Sequence, residues 1–108
     1  MSHIHDKVRY VVEALPEFDA WFAGLRDTIG RRAILARLVR LESGLFGDVK
    51  AIGGGVSELR IDVGPGYRVY FVRSGATVIV LLCGGDKNSQ RRDVDRAMHF
   101  AAQVRIKE

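Results

Sequence analysis

Two arginines, two carboxylates and a tyrosine are gathered into one small area by the alternation of a single stretch. Residues 57–63 read Ser-Glu-Leu-Arg-Ile-Asp-Val, and residues 67–73 read Tyr-Arg-Val-Tyr-Phe-Val-Arg. Apolar and polar residues in strict alternation are the signature of a strand with one buried face. Gly64-Pro65-Gly66 between the two runs lets the chain reverse. With those three residues as the loop, Val63 faces Tyr67. The pairing then continues Asp62–Arg68, Ile61–Val69, Arg60–Tyr70, Leu59–Phe71 and Glu58–Val72. One face presents Leu59, Ile61, Val63, Tyr67, Val69 and Phe71 to the core. The other carries Glu58, Arg60, Asp62, Arg68 and Tyr70. The planar fork of arginine matches phosphate oxygens, so this polar face suits an anionic substrate. The competing reading is a solvated face with an ordinary Asp62–Arg68 cross-strand ion pair.

Other chemistries find little support. The single cysteine, Cys83, cannot form an intrachain disulfide, and a structural zinc site has too few candidate ligands. Cys83 lies in an apolar run and reads as buried and inert. His3 and His5 read as part of a frayed start rather than as metal ligands, and His99 as a packing or surface residue of a helix. Gly84-Gly85 is not a phosphate loop, because no Gly-x-x-x-x-Gly-Lys pattern exists; it reads as the point where the chain turns from sheet to helix. No cofactor is expected.

Seventeen Lys and Arg against thirteen Asp and Glu give a net charge of +4, which favours an acidic partner such as nucleic acid or a masking protein. No run reaches the ~18 apolar residues of a membrane span. Met1–Asp6 lacks the pattern of a signal peptide. A cytoplasmic protein with no membrane association is expected, built as one domain over residues 1–108.

The elements that must position the polar face follow from periodicity. Lys7–Ala14, with Val-Arg-Tyr-Val-Val, reads as a first strand. Pro16 ends it and suits the first turn of a helix. Phe18, Trp21, Phe22 and Leu25 then recur at i, i+3, i+4 and i+7, the spacing of one buried helical stripe. Asp27 or Thr28 can cap a second helix, whose regular part Gly30 is expected to delay. Ile34, Leu38, Leu41 and Leu45 mark its buried stripe, widened by Leu35 and Val39, and Gly44 supplies a left-handed stop. Gly47–Gly55 holds one short strand and a bend. Thr77–Leu82 is apolar on both faces and belongs at the centre of the sheet. Asn88 or Ser89 can cap a last helix reaching about Val104, with Val94, Ala97, Met98 and Ala101 as its packing stripe. The order β-α-α-(β)-β-β-β-α predicts an α+β domain, a helical hairpin on one face of a twisted antiparallel sheet.

With these motifs in order, the sequence resembles the RelE/ParE superfamily of type II toxin–antitoxin toxins, and within it the phage-derived, HigB-like branch of addiction-module killer proteins. The residues that carry the resemblance are Phe18-x-x-Trp21-Phe22-x-x-Leu25-Arg26-Asp27, Ala36-Arg37-Leu38-x-Arg40-Leu41-x-x-Gly44 and Gly47-Asp48-x-Lys50. They continue with Gly55-Val56-x-Glu58-Leu59-Arg60, Gly64-Pro65-Gly66-Tyr67-Arg68-Val69-Tyr70-Phe71 and Gly85-Asp86-Lys87-x-x-Gln90. It spans roughly residues 8–103. The Gly-Pro-Gly-Tyr-Arg-x-Tyr-Phe block followed by Gly-Asp-Lys-x-x-Gln is its most specific part.

The resemblance implies a RelE-like fold and a ribosome-dependent endoribonuclease. Such an enzyme cleaves mRNA through the substrate's own 2′-OH and needs no metal. Carried over by motif, the catalytic residues are Arg68, Lys87 and Arg60. Because arginine stays charged, Arg60 and Arg68 act as clamps on the developing negative charge, and Lys87 is the cation able to exchange a proton. Glu58, Tyr70, Asp86 and Gln90 are candidates for acid–base or substrate contacts, with Glu58 and Asp86 the candidate bases. Relatives that place an aromatic or histidine early in the last helix find Arg91-Arg92-Asp93 here instead, so the general acid and base stay open. Arg37, Arg40 and Lys50 are candidates for contact with RNA or antitoxin. The implied partners are a helix-turn-helix antitoxin, the ribosome with its mRNA, and operator DNA through the antitoxin complex. Two alternatives use the same fold: a catalytically weak homologue acting as an antitoxin-bound corepressor, and a gyrase-directed ParE-like toxin.

Overall fold

The change from a 3.6-residue to a 2-residue period near Gly53–Gly55 divides the chain as expected. The structure, a computed structural model, describes residues 9–107. His3, His5 and the beginning of the expected first strand at Lys7 lie outside the described residues. Strand β1 spans Val11–Ala14, followed by α1 (Pro16–Ala23) and α2 (Thr28–Glu42). Strands β2 (Val49–Gly53), β3 (Val56–Ile61), β4 (Tyr67–Ser74) and β5 (Val78–Asp86) come next, and α3 (Gln90–Lys107) closes the order.

The five strands form one sheet in the order β1-β5-β4-β3-β2. Its three consecutive hairpin-type pairings are antiparallel, but β1 runs parallel to β5, with Val11 opposite Val78 and Ala14 opposite Leu81. The sheet is therefore mixed, which corrects the antiparallel expectation. Helices and three strands separate β1 from β5 in sequence, so no tight turn dictates their relative direction. β5 is an interior strand between β1 and β4, as its two apolar faces require, although β4 holds the centre of the sheet.

The β3–β4 register also departs from expectation. Ile61 faces Tyr67, Arg60 faces Arg68, Leu59 faces Val69 and Glu58 faces Tyr70. The loop thus has five residues, Asp62–Gly66, and Val63 and Asp62 are unpaired in the ladder. Two successive tight turns account for the extra length: Val63 N donates to Ile61 O at 3.0 Å, and Gly66 N donates to Val63 O at 3.0 Å. Gly64 and Gly66 take φ of 57° and 82°, which favour glycine. A slip of two residues keeps every side chain on its face, so the two faces survive while the partners change. The Asp62–Arg68 pair is not formed.

One face of the sheet packs against the helical hairpin. Phe18, Ile34 and Leu41 meet Leu59, Ile61, Tyr67, Val69, Phe71, Ile79 and Leu81, with Trp21, Phe22, Leu25 and Leu38 packed around them. Leu35, Val39 and Leu45 are instead exposed, at 47%, 61% and 52%; Leu45 is not part of the buried stripe, and Leu35 and Val39 do not widen it. Leu35 and Val39 lie on the side of α2 opposite Ile34 and Leu41, and Leu45 lies beyond its end. Asp27 is the N-cap of α2, accepting from Gly30 N at 3.0 Å. Gly30 sits within the regular helix rather than delaying it. A Cβ there would lie 2.5 Å from the Tyr67 ring, so the glycine permits a close approach.

The other face is divided. Val56, Tyr70, Val72, Val80, Leu82 and Cys83 are covered by α3 through Ala97 and Ala101, with Val94 and Met98 beside them. A bulge at Tyr70–Phe71 shifts the β4–β5 pairing from Tyr70–Cys83 to Phe71–Leu81, which places Leu82 and Cys83 together on the α3 side. Gly84 and Gly85 do not form the turn out of the sheet; they are rungs of β5 opposite Val69 and Arg68, and Asp86 opposite Tyr67 closes the ladder. A Cβ at Gly84 would meet the Trp21 ring at 2.3 Å, so the bare strand lets α1 dock.

Tyr67 Oη donates to Asp27 Oδ2 at 2.7 Å and ties the interhelical loop to the start of β4. The Gly30 amide, and then that bond, hold the Asp27 carboxyl below its usual range. Burial and Asp27 push the Tyr67 hydroxyl up to about 12. Tyr67→Phe keeps the ring packing and should cost about 0.5–1.5 kcal/mol. A phenol whose value is raised by folding stabilises fully below its unfolded value near 10 and loses that contribution as pH climbs through about 12. Urea midpoints of parent and variant should therefore differ at neutral pH and converge near pH 12.

Candidate functional site

Arg60 on β3 and Arg68 on β4 are direct cross-strand partners, and Gly85 on β5 is the next rung. Like charges in that relation repel. Glu58, one rung pair away on the same face, offsets the repulsion, and Asp48 Oδ1, 3.7 Å from Arg60 Nε, adds a second carboxylate on the Arg60 side. Glu58 Oε1 lies 3.7 Å from Arg60 Nε and 3.7 Å from Arg68 Nε. Its Oε2 accepts from Gln90 Nε2, at the first position of α3, at 2.8 Å. Glu58 is 1% exposed and Arg68 8% exposed, so this is a buried cluster, whereas a third of the Arg60 side chain is open.

At 3.7 Å the contacts of Glu58 with the two guanidiniums are ion pairs without hydrogen-bond geometry. Among the described residues neither Arg60 Nε nor Arg68 Nε has a hydrogen-bond partner. Arg68 Nη1 donates to Tyr67 O at 3.3 Å. Tyr70 does not lie on an open face as expected; it is fully buried beside Cys83, and among the described residues its hydroxyl reaches no partner in hydrogen-bond geometry. Burial, then the nearby Glu58 carboxylate, hold its proton far above the ordinary tyrosine range. Tyr70 is therefore a poor candidate for stacking on a base. Burial likewise pushes the Cys83 thiol up to about 11, which keeps it protonated.

Above the cluster lies a cleft of about 210 Å³ lined by Asp48, Arg60, Asp62, Arg68 and Lys87. The three cations expected to act together thus share one cleft, although they come from β3, β4 and the residue after β5. Lys87 is placed by the sharp turn into α3. Asp86 Oδ1 accepts from Asn88 N at 2.8 Å and from Ser89 N at 3.2 Å, so Asp86 is engaged in the turn rather than directed into the cleft. The Lys87 stem lies over Gly66, where a Cβ would stand 3.3 Å from Cγ and Cδ. Asp93, buried at the start of α3, accepts from Ser89 Oγ and takes the space above Gly85.

The remaining candidates separate cleanly. Arg37 is a strut: Nη1 donates to Arg60 O at 2.6 Å, and Nη2 to Phe46 O at 2.9 Å and Asp48 O at 3.4 Å. Burial lowers its pKa, and it fixes the backbone at Arg60 instead of facing a partner. Arg40 and Lys50 are exposed and lie outside the cleft lining. Asp48 and Asp62 are cleft residues that site reasoning from the sequence left aside. Their signal was present, since Asp62 alternates onto the charged face and Asp48 accompanies the Gly47 turn, but the five-residue loop that turns Asp62 toward the cleft was not legible. Among the described residues no three of His, Cys, Asp and Glu are grouped as metal ligands, and no helix is long and apolar enough to cross a membrane.

Fold and cleft together define a small α+β protein whose mixed sheet is covered on one face and only half covered on the other. Residues 17–107 match the family described as "Phage derived protein Gp49-like (DUF891)", and the chain belongs to that family, which is associated with toxin–antitoxin systems. A protein of Haemophilus influenzae strain KW20 Rd, carrying the name "Uncharacterized protein", is 42% identical over 87 residues, 81% of this chain and 88% of the relative.

The buried Glu58 makes Arg68 structurally costly to lose, in contrast to an exposed pair with Asp62. Arg68→Ala strips one of two guanidiniums from a buried carboxylate and should destabilise by about 3 kcal/mol. Adding Glu58→Gln removes the stranded charge and should restore about 1–2 kcal/mol of that loss. Urea denaturation of both single variants and the double variant measures the coupling.

Proposed function

We propose that the chain is the toxin of a type II toxin–antitoxin pair and acts as a ribosome-dependent, metal-independent endoribonuclease. The observation that carries this reading is the convergence of Arg60, Arg68 and Lys87, from three separate segments, on one open cleft over a buried carboxylate. The resemblance of the Gly-Tyr-Arg and Gly-Asp-Lys blocks to RelE-like and HigB-like toxins, and membership of a toxin–antitoxin-associated family, support it.

In this reading the 2′-oxygen of the substrate attacks the adjacent phosphorus and the bond from phosphorus to the 5′-oxygen breaks. The products are a 2′,3′-cyclic phosphate and a 5′-hydroxyl. Arg68 and Arg60 stabilise the charge that grows on the phosphoryl oxygens, an effect concentrated in the transition state. Lys87 gives a proton to the departing 5′-oxygen. Asp48 or Asp62, open at the cleft wall, takes the proton of the 2′-hydroxyl. Glu58 and Gln90 do not touch substrate; they hold the guanidiniums. A cognate helix-turn-helix antitoxin masks the activity in the cytoplasm.

Inducing the chain alone in bacteria should stop translation, and co-expressing the antitoxin should restore growth. Lys87→Ala is the cleanest cleft variant, because Lys87 is exposed and has no ion-pair partner among the described residues. It should lower mRNA cleavage about 10²-fold while leaving the melting temperature unchanged. Cleavage on ribosomes should persist with EDTA when magnesium is kept just sufficient for the ribosome. Full toxicity of Lys87→Ala would show that the cleft is not the active site. Growth arrest without mRNA cleavage would favour the gyrase-directed alternative, and normal growth with ample protein would favour the corepressor.

A further inference from the structure

Helix α2 is apolar on two sides. Its inner side carries the buried Gly30, Ile34 and Leu41. Its outer side carries Ile29, 72% exposed, with Leu35 and Val39. At 100° per residue, Arg32, Leu35, Ala36 and Val39 lie within one arc directly opposite the buried stripe, with Ile29 and Arg40 at its margin. A soluble helix normally turns polar residues outward, so the row of exposed Leu35, Ala36 and Val39 side by side there, with Arg32 between them and Ile29, marks a contact surface.

The charge around the row specifies what covers it. Arg26, Arg32 and Arg40 are exposed and form no ion pair among the described residues, and Glu42 is the one carboxylate in α2. We infer that the outer face of α2 docks an amphipathic helix of a partner protein, with apolar residues on the row and carboxylates against Arg32 and Arg40. A helix fits because the spacing of Ile29, Arg32, Leu35, Ala36 and Val39 forms the ridges into which a second helix packs, and Ala36 permits close approach. A second copy of this chain does not fit, since an α2–α2 contact would set these arginines against their own kind. The row points away from the sheet, whereas Arg60 and Arg68 project from the sheet's opposite face. Occupancy of α2 is therefore independent of the cleavage chemistry.

Two synthetic helices test the inference, one with a leucine face flanked by Glu and one identical but flanked by Lys. Fluorescence anisotropy should show the Glu peptide binding about tenfold or more tightly than the Lys peptide. Leu35→Ser/Val39→Ser should weaken that binding by about tenfold with unchanged circular dichroism and unchanged mRNA cleavage. Arg32→Glu/Arg40→Glu should invert the preference. Equal binding of both peptides, or binding indifferent to the serine variant, overturns the inference. So does a homodimer in sedimentation that the serine variant dissolves, or tighter, Leu35-dependent binding to phosphatidylglycerol vesicles.

Discussion

The carboxylate of Glu58 holds the site together. Two guanidiniums on adjacent strands at the same rung repel one another, and both approach the low-dielectric edge of the core. A buried Glu58 oxygen 3.7 Å from both Nε atoms, with Asp48 Oδ1 also 3.7 Å from Arg60 Nε, makes the pair tolerable. Such a cluster adds little net stability, because desolvating three charges offsets most of their attraction. Its consequence is geometric. The guanidiniums are held in place by a partner that leaves donors unused, as the proposed clamp on phosphate requires.

The same carboxylate sets how much of the sheet α3 covers. Gln90, at the first position of α3, spends its amide on Glu58, and behind it the helix packs only on the apolar end of that face, over Val56, Tyr70, Val72 and Val80. The charged end stays open and becomes the cleft. Lys87 reaches it because Asp86 and Ser89 fold the three residues between β5 and α3 into a tight turn, over a Gly66 that has no side chain to obstruct the lysine stem. On the far face, Tyr67–Asp27 and Trp21 over Gly84 anchor the helical hairpin to the same strands. The helical hairpin therefore backs the strands that carry the cleft.

Much of this was legible because alternation survives errors of even number. Glu58, Arg60 and Arg68 were assigned to the correct face although the loop was read two residues too short, since the sheet's period is two. Helix starts were legible where capping chemistry was explicit, as at Pro16 and Asp27. Three features were not. The parallel pairing of β1 depends on contacts across the whole chain. The depth of Tyr70 depends on where α3 ends its cover. The strand role of Gly84 and Gly85 depends on Trp21 and Asp93 needing their space, and only tertiary packing reveals that. Leu35 and Val39 were misassigned for the opposite reason: helical periodicity marks apolar residues without saying which apolar side meets the core.

The chemical ends left by cleavage test the role of the cleft most directly. RNA from ribosomes exposed to the purified protein would be digested to short fragments and the new termini weighed by mass spectrometry. Attack by the substrate's 2′-oxygen, stabilised by Arg60 and Arg68, leaves a 2′,3′-cyclic phosphate, or its opened monophosphate, opposite a 5′-hydroxyl. A 5′-phosphate opposite a free 3′-hydroxyl would mean that water attacked instead, and that the cations of this cleft serve another purpose.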